Sequence, residues 1–393
     1  MKLRKLFSVA VFLFSLAISG LAQDLDSIRV SLVTCSPGGK VYSLYGHTAL
    51  RCQNFTRNDD WAFNYGVFSF NQPHFIWHFV LGQCDYMVLP LPWDDFLTEY
   101  RERGSSVTAQ VLNLTPEESN FLFYSLVDNC RKENRNYKYN FLYNNCTTKV
   151  RDMIERCVEG SVVYPDTIPH YTYRQILHQY TAGHQWAQEG DDMLLGADVD
   201  TVLSARAAMF APEYMMRYAA DAVIRQENND TRPLVLETET ILEKRNVPAE
   251  DAFPLSPLAT SLCFLGFCVL VCVVEKLCNS VFWIWDVLLL TAQGLAGTLL
   301  LFLFLFSAHP AVGSNWLVWP FTPLAFLGLC PVVKAAVHKK KTRWHAFYFV
   351  YLALFLVFSP WIPQDFGNIV VPLATALLTR PVSYHAYYRR NKL

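Results

Sequence analysis

The residue best placed by its neighbours to act as a nucleophile is Cys146, in the run YNFLYNNCTTKVRD at 139–152. Asn144 or Asn145 suits a helix N-cap, and Val150, Met153, Ile154, Cys157 and Val158 follow at helical spacing. Cys146 then falls in the first turn, on the packed face. A thiol there feels the positive end of the helix, which lowers its pKa and favours the thiolate. Its own N–H is one of the amides left unpaired at that terminus and can stabilise an oxyanion. A thiolate nucleophile also needs a base held by a third group. In YGHTALR at 45–51, His47 follows Gly46 at the head of a strand, where the missing side chain allows close approach. The next strand carries Asn64 in FNYG at 63–66, a polar residue among aromatics and the first choice to orient the imidazole, with Asp60 as the alternative. The competing reading is structural: a lone Cys near a helix start also serves as a small buried hydrophobe or half of a disulfide, and a strand His as a satisfied core residue. His74, His78, His170, His178, His184 and Cys157 lack comparable surroundings.

The elements that must position these residues alternate short strands with a few helices. Strands are expected at 28–34, 48–52, 61–70, 75–80, 86–91 and 107–112, the last a clean period-two run. Helices are expected at 92–103 and 115–131, the second opened by Thr115-Pro116-Glu117-Glu118 with a capping Thr, Pro at the first helical position and Glu in the first turn. The class is α+β with a largely antiparallel sheet. The aromatic stretch Phe68, Phe70, Phe75, Ile76, Trp77, Phe79, Val80 reads first as sheet core, with an acyl groove or a dip into a membrane interface as the alternative.

The chain has 393 residues, 52% hydrophobic and 17% charged, with 33 Lys plus Arg against 34 Asp plus Glu. This excludes a disordered tail and a nucleic-acid binder carried by charge. Lys2, Arg4 and Lys5, an apolar run at 6–18, and the small residues Gly20 and Ala22 read as a secretory signal over 1–22, cut after Ala22. Apolar segments of about spanning length lie at 257–274, 281–306, 316–333, 346–362 and, more weakly, 368–380, giving five spans within 256–393. With the preceding domain outside, the connectors at Lys276 and at 334–343 and the tail, all rich in Lys and Arg, fall inside, while those at His309–Asn315 and Gln364–Asp365 carry neither. The C-terminus is therefore cytoplasmic. Asp286 lies within a span close to its cytoplasmic end. Six of the 11 cysteines precede the membrane part, in an oxidising compartment that favours some pairing. No Cys/His metal spacing is present.

Taken together, YGHTALR, FNYG and YNFLYNNCTTKVRD resemble the Lnb family, in which an N-terminal periplasmic domain precedes a multi-helix membrane domain. The order His before Cys, with Cys opening a helix, is similar to the circularly permuted branch of the NlpC/P60 papain-like superfamily, which includes lecithin:retinol acyltransferase-like enzymes. The resemblance rests on motifs between 24 and about 180 and on span layout beyond. It implies an α+β permuted papain-like (NlpC/P60-like) periplasmic domain at 23–180, an accessory periplasmic segment and linker at 181–250, and an all-α transmembrane domain of five helices. The implied activity is that of a lipoprotein N-acyltransferase. An acyl chain moves from a membrane phospholipid through a Cys thioester to the α-amine of a diacylglyceryl cysteine, at the outer leaflet of the bacterial inner membrane. Carried onto this sequence, Cys146 is the nucleophile, His47 the base and Asn64 the third member, and Tyr45, Arg51 and Asn145 in the same motifs are candidate substrate-binding residues. The sequence departs from the family's commoner run at Lys149, where Arg is expected. The implied partners are the phospholipid donor, the diacylglyceryl lipoprotein acceptor and the membrane, with no nucleic acid, no cofactor and no metal. One rival keeps the site and changes the substrate, to a peptidoglycan amidase or endopeptidase. Another is a non-catalytic membrane receptor or assembly factor with a structural Cys146.

Overall fold

The computed structural model describes residues 25–68, 73–166, 171–245 and 253–391; the signal segment, Phe70 and much of the linker before the membrane part lie outside them. The N-terminal half is built on a seven-stranded antiparallel sheet in the order β10-β5-β1-β2-β3-β4-β6. In chain order these are β1 (Ile28–Cys35), β2 (His47–Asn54), β3 (Asp59–Val67), β4 (Asp85–Pro92), β5 (Val107–Leu112), β6 (Asn136–Lys138) and β10 (Val235–Leu242). A small second sheet joins β7 (Ser161–Val163), β8 (Val223–Arg225) and β9 (Thr231–Pro233). β1 and β2 pair along their whole length, Ile28 opposite Asn54 and Cys35 opposite His47, so His47 stands at one end of the sheet.

The two faces of the sheet are covered differently because the strand side chains alternate. Val33, Cys35, Ala49, Ala62, Val107 and Ala109 point to one face. Such small side chains leave room for the aromatic side of a helix (Trp93–Arg103) that packs Trp93, Phe96, Leu97 and Tyr100 against them. The other face carries Leu32, Leu50, Cys52, Phe63 and Tyr65 and takes the larger core, including the helices Pro116–Asn129 and Cys146–Cys157. The chain beyond 180 stays within the same body: Tyr214, Met215 and Tyr218 join this core, and β10 adds to the sheet edge beside β5.

Numbering the helices in order gives α1 (Phe75–Val80), α2 (Trp93–Arg103), α3 (Pro116–Asn129), α4 (Cys146–Cys157), α5 (Tyr173–Thr181), α6 (Gln185–Leu194), α7 (Ala205–Ala208) and α8 (Pro212–Ala220). The membrane part adds α9 (Pro257–Cys278), α10 (Trp283–Phe306), α11 (Leu329–Val337), α12 (Arg343–Phe358) and α13 (Val370–Arg390). The strand expected over 75–80 is a helix. Its β-prone side chains find no strand partner, since the strands β3, β4 and β6 pair with one another, and a helix satisfies the backbone locally. Nor is this stretch sheet core: Ile76 and Trp77 are 78% and 55% exposed.

The C-terminal half is helical, with four helical segments long and apolar enough to cross a membrane: Pro257–Cys278, Trp283–Phe306, Trp316–Val337 and Arg343–Trp361. The third is broken into short 3-10 turns followed by α11, as Pro320 and Pro323 in that stretch require. α13, over the weaker apolar segment, is long but does not reach the same apolarity, since it carries Arg380. Arg380 is buried against Asp286 of α10 (Nε to Oδ1 2.7 Å) and Glu275 of α9 (Nη2 to Oε1 2.8 Å), and Tyr384 donates to Asp286 at 3.1 Å. Asp286 is thus part of a three-helix ion network. All 11 cysteines are unpaired, the six before the membrane part included.

The connectors expected outside are the ones that touch the N-terminal half. Gly196 N donates to Ala311 O at 2.8 Å, Asn315 Nδ2 to Met193 O at 2.8 Å, and Gln364 Nε2 to Leu195 O at 3.3 Å. α1 leans on the end of α10 nearest these connectors, with Trp77 against Phe302 and Ser307 Oγ donating to Val80 O at 2.8 Å.

Candidate active site

α4 begins at Cys146 because Asn145 caps it. Asn145 Oδ1 accepts from the N–H groups of Thr147 and Thr148, each at 2.9 Å, and the Asn145 N–H donates in return to Thr148 Oγ1 at 2.8 Å. The cap is tied to the rest of the domain through Asn145 Nδ2, which donates to Phe141 O and to Phe210 O, each at 2.8 Å. Every hydrogen-bonding position of this amide is engaged in the cap, and Asn145 also lines the cavity onto which Cys146 opens. Below it, Cys146, Val150, Met153, Ile154 and Cys157 form one buried face against β2 and β3.

His47 reaches the same point from the sheet. Gly46 precedes it at φ +70, and a Cβ there would lie 2.7 Å from Cys35 O, so the turn into β2 closes only without a side chain. Continuing the β2/β3 register from Leu50 opposite Phe63 sets Ala49 opposite Asn64, with His47 one diagonal step away on the same face. His47 Nε2 contacts Asn64 Oδ1 in a short hydrogen bond, the ring is buried and stacked near Tyr100, and the imidazole is hydrogen-bonded to Cys146. Asp60, the alternative orienter, lies elsewhere, held by Arg51 at 2.9 and 2.6 Å. Arg51 pairs there through Nε and Nη2 and also covers the Trp93 ring at 4.1 Å. It does not reach the thiol, a correction to its expected role in binding substrate: four residues along β2 from His47, it lies well away from the sheet's end.

The electrostatics favour an ion pair. Burial alone pushes the Cys146 thiol up, but the His47 charge and hydrogen bond, the Thr48 backbone N–H and the Thr147 hydroxyl outweigh it, and the pKa falls to about 7. For His47, burial works against the imidazolium and is outweighed by the Cys146 thiolate and by hydrogen bonds to Cys146 and Asn64, so its pKa rises. A thiolate–imidazolium pair is the form these shifts select near neutral pH.

Three further groups lie near the thiol: Thr147 and Gly66, which stand in the motifs without a role assigned there, and Tyr137. Thr147 Oγ1 lies 3.8 Å from Sγ and 3.0 Å from Thr48 Oγ1. Gly66, at φ +89 on the irregular end of β3, leaves room between Cys146 and Tyr137: a Cβ there would lie 3.7 Å from Cys146 Cβ and 3.9 Å from the Tyr137 oxygen. The Tyr137 hydroxyl is buried, and its pKa is raised by burial and by the neighbouring thiolate, so it stays a donor. Lys149, the position where the motif departs, covers the Tyr137 ring at 5.0 Å.

Cys146 opens on a cavity of about 500 Å³. One wall is periplasmic, including Tyr45, Tyr139 and Phe210; another comes from α1 through Phe79 and Val80; a third is the end of α10, through Leu299 and Leu303. Tyr45 is therefore at the site, with its hydroxyl bonded to Asp191.

Family models describe both halves. The Lnb N-terminal periplasmic domain matches residues 21–179, and the Lnb transmembrane domain matches residues 248–392. The chain belongs to the Lnb family. No curated protein and no solved structure matches it. Family membership makes this a multi-pass membrane protein with a periplasmic N-terminal domain and points to an enzyme of lipoprotein processing. The Cys146–His47 pair and the cavity walled in part by α10 belong to that setting.

Proposed function

We propose that this chain is a thiol-dependent lipoprotein N-acyltransferase of the inner membrane, with Cys146 as nucleophile, His47 as general base and acid, and Asn64 holding the imidazole. The observation that carries the reading is that the activated thiol faces an apolar cavity whose third wall is a membrane-spanning helix. The Cys146 thiolate attacks an ester carbonyl of a phospholipid, the ester C–O bond breaks, and His47 gives its proton to the departing lysophospholipid oxygen. The acceptor's amine then attacks the thioester, and thiolate leaves. The N–H of Cys146, at the first helical position, has no intrahelical acceptor and can hold the oxyanion in both steps, with the Tyr137 hydroxyl beside it. The apolar lining keeps water from the thioester, and the membrane domain confines donor and acceptor to a surface search.

The His-before-Cys order, with the Cys-bearing helix laid on the strand that carries the His, supports a permuted papain-like fold, and the packing of α13 on α9 and α12 supports a fifth span. A wall-peptide hydrolase fits less well, because its polar substrate gains nothing from walls such as Leu299, Leu303 and Phe79. The test is mass spectrometry of a diacylglyceryl-cysteinyl lipopeptide incubated with phospholipid vesicles and the purified full chain, beside Cys146→Ser and His47→Ala. One added amide-linked acyl chain, absent with both variants, supports the reading. Fatty-acid release with the lipopeptide unchanged refutes the acceptor half, and no change in either lipid refutes the whole.

A further inference from the structure

The cavity carries a charge that acylation of Cys146 does not use. Among its described lining residues Asp191 is the only carboxylate, and there is no Lys or Arg. The one imidazole, on His309, donates through Nε2 to the Phe79 carbonyl at 2.6 Å. Asp191 lies near the end of α6, and Tyr45, two residues before His47, donates its hydroxyl to Asp191 Oδ2. No Lys, Arg or His among the described residues forms an ion pair with it. The adjacent Asp192 is different: it is fully buried and satisfied by Arg174 at 2.7 Å and His178 at 2.8 Å. An anion held out into an apolar chamber without a counter-charge costs free energy unless a cation completes it.

Resting on the acyltransferase reading above, we propose that Asp191, oriented by Tyr45, is the subsite for the acceptor's α-ammonium group and takes its first proton. A primary amine at neutral pH is mostly protonated and has no lone pair for attack. Asp191 draws the ammonium into the cavity and removes one proton. The freed lone pair forms the C–N bond at the thioester carbonyl, and the second proton passes to His47 as the C–S bond breaks. The cycle closes with Cys146 as thiolate, His47 as imidazolium, and the proton on Asp191 released to solvent. Burial raises the proton affinity of this carboxyl, Asp192 adds to the effect, the Tyr45 hydrogen bond opposes it, and Arg174 and His178 oppose it more weakly. The same charge favours a cationic amine over neutral water or an alcohol and disfavours a carboxylate-bearing wall peptide.

The experiment separates the half-reactions in the full chain in phosphatidylethanolamine vesicles, with intact-mass detection of acyl-Cys146 and a timed assay of amide formation on a diacylglyceryl-cysteinyl lipopeptide. Asp191→Asn keeps the shape and an acceptor for Tyr45 but loses the charge. Acyl-enzyme is expected to form at the wild-type rate and to accumulate, while amide formation falls about tenfold or more and the KM for lipopeptide rises. Asp191→Glu is expected to recover most of the transfer. Wild-type transfer by Asp191→Asn overturns the inference, and so does a parallel loss of both half-reactions in a variant with unchanged melting temperature. If the Asn variant does not fold, Asp191→Ser is read in the same way. A wild-type chain that acylates Cys146 but never passes the acyl group to the lipopeptide overturns the acyltransferase reading and this inference with it, whereas failure of the Asp191 variants alone leaves that reading standing.

Discussion

Replacing His47 by Ala tests whether the thiolate is made by its partner or by the helix end. A thiol at the ordinary 9.0 is about 1% ionised at pH 7, whereas one held at about 7 is about half ionised. Each thiolate of lower pKa is a weaker nucleophile, and with a Brønsted slope of about 0.4–0.5 two units cost about eightfold. The net advantage at pH 7 is therefore about sixfold over an ordinary thiol. In His47→Ala the burial of Cys146 is opposed only by the Thr48 N–H, the Thr147 hydroxyl and the helix end. The pKa then rises, and alkylation of Cys146 by iodoacetamide at pH 7, followed by peptide mass spectrometry, is expected to slow about sixfold or more. The inflection of its rate against pH moves upward from near 7. The sign is fixed: losing a cation next to an acid raises the acid's pKa. An inflection that stays near 7 in His47→Ala refutes the ion pair and leaves the helix terminus as the activator.

Asn145→Ala removes two accepted and two donated hydrogen bonds at a buried cap, and an unfolding free energy lower by about 2–4 kcal/mol is expected from denaturant titration. Asn64→Ala is expected to lower kcat on the order of 10²-fold with little change in the KM for lipid, in steady-state acyl transfer, because the imidazole loses its orienting partner. Arg51→Gln, away from the cavity, should leave kcat/KM within about twofold while lowering the melting temperature. Arg380→Leu leaves Asp286 and Glu275 buried without their cation, and a loss of about 3–5 kcal/mol should appear as a lower melting temperature in detergent.

The local signals in the sequence proved dependable where the structure is local. Val107–Leu112 matches its period-two run, and Thr115 makes the capping box its motif announces. Asn145 opens the helix that presents Cys146, and Gly46 marks the turn that presents His47. Segment 75–80 has the composition of a strand because β-branched and aromatic residues report a half-buried surface, and here that surface is the end of a membrane helix instead of a neighbouring strand. Asp191 was not legible at all: it meets Tyr45 across 146 positions, and nothing beside it distinguishes it from Asp192. Thr48 likewise reaches the Cys146 helix from far along the chain, its hydroxyl 3.0 Å from Thr147 Oγ1. Arg51, by contrast, stands in a motif with His47 and yet lies out of reach of the sulfur, because a strand carries its residues away from one another at about 3.4 Å per position.

Arg380 has a consequence for biogenesis. A helix bearing a guanidinium at its middle is poorly retained by hydrocarbon on its own, and α13 is bounded by Arg389 and Arg390 at its far end. Its partners Glu275 and Asp286 lie on helices synthesised before it. In the five-span reading proposed above, insertion of the last segment waits on a docking event, in which two acids already in place receive the arginine as it enters. In that reading a full-length chain altered at Glu275 or Asp286 should leave its final helix outside the bilayer, so that tertiary pairing, and not hydrophobicity alone, sets the topology of the C-terminus.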